Sequence, residues 1–191
     1  MKKLSEFLLK HSNGKAVCIS LAVALLYKTF ATDKVIAHFE QLSSGNKPLD
    51  FFAFLKGGEA YSLISSYGTE AVSYYLKAVL PVDIILPLVM GIAYALIIAF
   101  LLKKAATAPK YNFLCVLPFF TVTLFDYIEN AGITVMLRAY PSSLNITAQI
   151  TGIFTALKFA AYITEFLLMA FFFVLYLKNR FKSKKQTADN K

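Results

Sequence analysis

Thr123-Leu124-Phe125-Asp126-Tyr127-Ile128-Glu129-Asn130-Ala131-Gly132 places two carboxylates and a carboxamide in the second half of an apolar run that extends from Tyr111 to Leu137. The run is long enough to cross about 30 Å of hydrocarbon as a helix. A charged side chain at the centre of a bilayer costs roughly 2.5–3.5 kcal/mol, so such residues face a bundle interior and commonly mark function. The stretch therefore predicts an all-α, polytopic membrane protein with a buried polar centre.

The rest of the 191 residues agrees with that class. Apolar residues make up 58% of the chain and charged ones 16%, and the mean hydropathy is +0.59, values that leave no room for a soluble domain of ordinary size. A single membrane domain over 1–191 is expected, a four-helix transmembrane bundle with spans at about 16–31, 79–102, 111–137 and 150–177. Lys2, Lys3, Lys10 and Lys15 face one acid, Glu6, ahead of the first apolar run. A cleaved signal peptide begins similarly. The absence of a small-x-small site before a polar start favours a retained span, with Lys28 snorkelling at its far end and the helix continuing toward His38.

Residues 32–78 carry most of the remaining polarity. Ser43-Ser44-Gly45-Asn46-Lys47-Pro48 marks a turn. Gly57-Gly58 opens an amphipathic helix with Ala60, Leu63, Ile64 and Tyr67 on one face, and Gly68 and Thr69 fit a C-cap and the next N-cap. The segment reads as a small extracytoplasmic helical cap, with Phe51, Phe52, Phe54, Tyr61, Tyr67, Tyr74 and Tyr75 in the interfacial belt. In the second span, Pro81 and Pro87 each remove a backbone donor and predict a bend.

Orientation follows from the flanks. The N-terminus, the 103–110 loop and the tail 178–191 hold four, three and six Lys/Arg, against five in the cap and the loop between the last two spans. Both termini are therefore expected in the cytoplasm of a multi-pass cell-membrane protein, with the basic tail on anionic lipid. That distribution argues against a nucleic-acid partner despite the net charge of +9. Asn145-Ile146-Thr147 is a glycosylation sequon on the predicted outer side.

Asp126, Glu129 and Asn130 fall at i, i+3 and i+4 and share a helix face with Thr123 and Thr134. The fourth span answers with Thr151, Thr155, Lys158, Tyr162 and Glu165 at steps of three and four. The two stripes should meet. From a 1.5 Å rise, Glu129 and Lys158 lie about 12 Å from the outer ends of their spans, Asn130 about 10 Å, Asp126 about 16 Å and Asp83 roughly 4–5 Å, with Glu165 near the midplane. The expected site is a pocket in the outer half of the bundle lined by Asp83, Asp126, Glu129, Asn130, Lys158 and Tyr162. Within it Lys158 would hold an anionic head group or an oxyanion. An equally physical alternative is that the carboxylates pair with Lys158 and Asn130 only to fix helix register.

Other chemistry finds little support. Cys18 and Cys115 sit apart in apolar runs. His11 and His38 have no ligand-spaced partners, so no metal is expected. Gly57-Gly58 lacks the Gly-Lys-Ser/Thr of a phosphate loop, and no cofactor is expected.

Four groups of residues in succession, Gly58-x-Ala60-x-x-Leu63-Ile64-x-x-Tyr67-Gly68, Asp83-x-x-x-Pro87-x-x-x-Gly91, Asp126-x-x-Glu129-Asn130 and Leu157-Lys158, resemble a group of uncharacterised small four-span integral membrane proteins, mainly bacterial. The resemblance covers nearly the whole chain. It implies the topology and directs attention to Asp83, Asp126, Glu129, Asn130 and Lys158, and it brings no activity.

Three functions are compatible with these residues. The first is binding of a lipid or small amphiphile in the outer pocket, which requires only the pocket. The second is a membrane-embedded, lipid-modifying enzyme with Asp126 and Glu129 as acid/base pair and Lys158 as electrostatic stabiliser. The third is a proton- or ion-coupled transporter subunit relaying through Asp83, Glu129 and Glu165, which would need to form a homo-oligomer to make a path.

Overall fold

A computed structural model of the chain describes residues 1–53 and 57–189, with side chains as far as residue 182. Phe54 and Lys56 of the expected cap, and the side chains of the basic tail beyond residue 182, lie outside the described residues. Among those described there is no strand.

Among the described residues, four helices are long and apolar enough to cross a membrane: Gly14–Leu42, Gly57–Lys104, Pro109–Ala139 and Asn145–Lys182. A short helix α1 (Lys2–His11) precedes them. Asn13 then caps α2 (Gly14–Tyr27), its side chain accepting from the Ala16 amide at 2.9 Å. A wide π turn at Lys28–Thr32 carries this helix into α3 (Asp33–Leu42), so the first long helix reaches past residue 31, as the pattern toward His38 suggests. The chain reverses at Ser43–Asn46, with Ser44 and Gly45 at positive φ, and a single 3-10 turn, Leu49–Phe51, follows.

The second long helix is built from α4 (Gly57–Tyr74), a π turn at Tyr75–Val79 and α5 (Leu80–Lys104). Gly68 breaks α4 with φ 79° and ψ 162°, a conformation essentially reserved for glycine, and this confirms the boundary expected at Gly68-Thr69. In the π turn the Leu80 amide bonds to the Tyr75 carbonyl. Pro81, which has no N–H, leaves the Lys77 carbonyl without its usual partner just beyond. The third long helix starts as a 3-10 segment at Pro109–Val116, widens at Phe119–Thr123 after Pro118, and becomes regular in α6 (Leu124–Ala139). A single uninterrupted helix, α7 (Asn145–Asp189), closes the chain.

The described residues of the bundle form two apolar cores. Leu8, Ile98, Leu102, Cys115, Val116 and Phe172 form one, at the end where the three basic flanks converge. There the Lys103 ammonium donates to the carbonyls of Leu9 (2.9 Å) and Ser12 (2.8 Å), closing the C-terminal end of α1, and Asn179 donates to the Ala105 carbonyl. The other core gathers Phe39, Leu49, Ile64, Tyr67, Tyr75, Ile133 and Met136. Tyr61, Tyr67 and Tyr75 are expected from sequence in an interfacial belt, but they are buried here. Each hydroxyl has a partner that makes burial possible. Tyr67 donates to the Lys47 carbonyl, Tyr75 donates to Asp50 Oδ1, and Tyr61 accepts from the Leu144 amide.

Between the two cores the usual distribution is reversed. Ile19, Leu25, Phe30, Ile84, Ile85, Phe120, Ile153, Ile163, Phe166 and Phe171 point outward, while Asp126, Glu129, Asn130, Lys158 and Glu165 are buried. A chain dissolved in water would pay heavily for both halves of that arrangement. Two glycines permit the close approach of the helices around the polar centre. A Cβ on Gly132 would overlap Thr151 Oγ1 of α7, and one on Gly91 would lie 2.6 Å from Thr123 Oγ1, which itself donates to the Pro87 carbonyl.

Candidate functional site

The i, i+3, i+4 spacing on α6 buries Asp126 (4% exposed), Glu129 (0%) and Asn130 (4%) on one face, opposite Lys158 (5%) of α7. The two polar stripes do meet. Lys158 Nζ lies 2.5 Å from Glu129 Oε2 and 3.6 Å from Asp126 Oδ2. The other Glu129 oxygen accepts from Thr155 Oγ1 at 2.7 Å. Asn130 uses its two N–H groups on two carboxylates, Asp126 Oδ1 at 2.8 Å and Asp83 Oδ2 at 2.9 Å. Only the amide nitrogen can serve two such acceptors, which fixes its orientation. Thr134 donates to the Asn130 carbonyl.

Asp83 therefore reaches Asn130 directly, although a count from residue 79 sets it nearer the end of its span. The reason is the origin of the count: the second helix starts well before residue 79, so Asp83 lies about 21 Å along the helix from Thr69.

A cavity of about 380 Å³ opens onto this cluster, lined by Lys28, Thr32, Asp33, Ile36, Asp50, Phe51, Asp83, Leu86, Asp126, Lys158, Phe159 and Tyr162. It lies between the first long helix and α7. The exposed residues Lys28, Asp33 and Phe51 form its rim, and the buried Asp126 and Lys158 form its floor. Of the residues expected from sequence, Asp83, Asp126, Lys158 and Tyr162 reach the cavity. Glu129 and Asn130 stand behind them in the cluster. Tyr162 also meets Tyr94 edge to face, with ring centroids 6.3 Å apart. Glu165 is elsewhere: it accepts from Thr121 at 2.6 Å.

Several lining residues escape the sequence reading. Lys28 reads from sequence only as a side chain snorkelling at the end of a span, yet it lines the rim, paired with Asp33 at 2.8 Å, and the adjacent Tyr27 donates to the Val82 carbonyl. Lys28, Thr32 and Ile36 share a helical face at steps of four, the one signal that could have found them. Asp50 had no such signal, because its position depends on the long-range bond from Tyr75. Thr32 is 7% exposed, and its hydroxyl has no hydrogen-bond partner among the described residues.

The histidines are placed apart from the cavity. His11 Nδ1 lies 2.8 Å from the Phe7 carbonyl and His38 packs edge-on against Tyr74. Among the described residues, no group of three or more His, Cys, Asp or Glu is placed to hold a metal ion.

Comparison with protein-family models, with curated proteins and with solved structures finds no match to this chain.

Proposed function

We propose that this is a multi-pass membrane protein that binds a lipid or small amphiphile in the cavity above the Asp126–Lys158 cluster. The observation that carries the reading is the make-up of that cavity. It joins a charged floor (Asp83, Asp126, Lys158) to apolar walls (Ile36, Leu86, Phe159), the division a molecule with a polar head and an apolar body requires. Its place near the polar segment 32–78 fits a site in the outer half of the membrane. In this reading that segment is an extracytoplasmic cap, both termini are cytoplasmic and the basic tail rests on anionic lipid. The convergence of the three basic flanks at one end of the bundle supports that orientation.

Two other functions gain less from the geometry. An enzyme using Asp126 and Glu129 as an acid/base pair would need both at the substrate, and Glu129 does not line the cavity. A relay ending at Glu165 would need a link to the Lys158 cluster. Among the described residues the hydrogen bonds of Glu165 stop at Thr121.

Native mass spectrometry of the purified protein tests the proposal. The wild type should retain one amphiphile through detergent exchange, and Leu86→Trp, which fills the cavity wall, should lose it. An identical, nonspecific lipid profile in both would overturn it.

A further inference from the structure

The charges around the cavity do not balance. Among the described residues, Asp33, Asp50, Asp83, Asp126 and Glu129 are met by Lys28 and Lys158, with Lys47 at the rim over the Phe51 ring, an excess of two carboxylates. Neither lining ammonium is free: Lys28 is held by Asp33, and Lys158 by Glu129 and Asp126. Inside the cavity an anionic head group would meet several carboxylates and, among the described residues, no unengaged cation. Asp83 adds to this asymmetry. One of its oxygens takes a hydrogen bond from Asn130, and among the described residues it has no cationic partner. Asp50 is held by a neutral phenol, Tyr75.

Uncompensated carboxylates in a site of low polarity demand either protons or a cation. The remaining lining selects between these. Phe51, Phe159 and Tyr162 surround the same space, and aromatic faces with nearby carboxylates are the surroundings that hold an ammonium; two of these rings already do so, Phe51 beneath Lys47 and Phe159 beneath Lys158, each 5.8 Å from the nitrogen. Thr32 supplies a second indication of a ligand: it lines the cavity, and its buried hydroxyl, without a hydrogen-bond partner among the described residues, is left for a group that enters beside it.

We infer that the cavity is selective for an organic cation, an amine or quaternary ammonium carrying an apolar chain, with Asp83, Asp126 and Asp50 facing the charge and Phe51, Phe159 and Tyr162 around it. This inference rests on the amphiphile-binding reading and specifies its head group. The cation is supplied either by the ammonium of a membrane lipid or by a free amphiphilic amine.

Calorimetry on the full-length protein in a neutral detergent tests it with three probes of one chain length: octyltrimethylammonium, octanol and octyl sulfate. The ammonium should bind saturably at one site, and octyl sulfate should not. Removing a charge partner with Asp83→Asn or Asp50→Asn should weaken the ammonium by about tenfold or more, and Leu86→Trp should abolish binding. Two substitutions on different elements keep the test decisive if one of them fails to fold.

Equal binding of octanol, with no effect of either Asn variant, would overturn the cation selectivity and leave the amphiphile site standing. Preference for octyl sulfate would do the same. Failure of all three probes would overturn both. A second arm identifies the source. In nanodiscs, phosphatidylethanolamine retained over phosphatidylglycerol and displaced by octyltrimethylammonium assigns the site to a lipid head group. Probe binding that displaces no lipid assigns it to a free amine.

Discussion

Replacing Lys158 by Met should destabilise the bundle more than replacing Glu129 by Gln, and the difference can be worked from the geometry. Lys158 is the only cation within reach of Glu129 and Asp126 among the described residues. Its loss leaves a fully buried Glu129 with Thr155 alone. Breaking a buried pair from one side costs about 3–5 kcal/mol in soluble proteins. In a membrane the unfolded helices also find partners, and polar contacts average only about 0.6 kcal/mol, with a maximum near 1.7. The orphaned carboxylates can also take up protons, which caps the loss. For Lys158→Met we therefore expect about 2–3 kcal/mol, between those limits. Glu129→Gln leaves Lys158 with Asp126, 3.6 Å away and able to close, so its cost should be near 1 kcal/mol. The double variant should cost less than the two singles added, with a coupling of about 1 kcal/mol or more. Reversible unfolding in mixed detergent micelles, followed by far-ultraviolet circular dichroism, measures all four species. Near-neutral single variants with coupling below about 0.5 kcal/mol would refute the reasoning, because the fold would then not depend on the pair.

Three further outcomes are expected. Gly132→Ala should destabilise by about 1–3 kcal/mol in the same unfolding assay, because its methyl would overlap Thr151 Oγ1; Thr151→Ala in that background should recover part of the loss. Gly68→Ala should cost about 1–3 kcal/mol, since alanine rarely adopts φ 79° with ψ 162°, and an unchanged melting temperature would show that α4 can bend elsewhere. In a background lacking Cys18 and Cys115, a membrane-impermeant maleimide should label Ser65→Cys in intact cells and Arg180→Cys only after permeabilisation; the reverse pattern would invert the proposed orientation.

The bundle and its polar stripes are legible in the sequence because both depend on local periodicity. Apolar runs long enough to span a membrane, and polar residues at steps of three and four, place Glu129 opposite Lys158 without any knowledge of tertiary structure. What depends on distant contacts is not legible. Tyr61, Tyr67 and Tyr75 look like interfacial aromatics, since nothing local announces that Leu144, Lys47 and Asp50 will satisfy their hydroxyls. Asp50 enters the cavity through the same kind of contact. The length of the second helix is hidden because the two proline-containing turns resemble a helix start, whereas the chain continues through a π turn from α4 into α5. Glycines 91 and 132 carry no GxxxG pattern, and their importance becomes visible only against Thr123 and Thr151.

A device for fixing helix register would need one pair, and Glu129 with Lys158 supplies it, with Glu129 behind the cavity floor and completed by Thr155. Asp83 cannot be explained that way. It comes from a different helix, and among the described residues its one bond goes to an Asn130 amide group that already serves Asp126. That sharing brings a second carboxylate close to the first with no second cation paired to it among those residues. For packing alone, a neutral side chain at position 83 would accept the same hydrogen bond without the repulsion. The surplus charge also sits on the cavity side of the cluster, while Lys158 is turned toward Glu129. An occupant carrying positive charge removes the repulsion between Asp83 and Asp126, so the cluster is complementary to a ligand in a way that it is not complementary to itself.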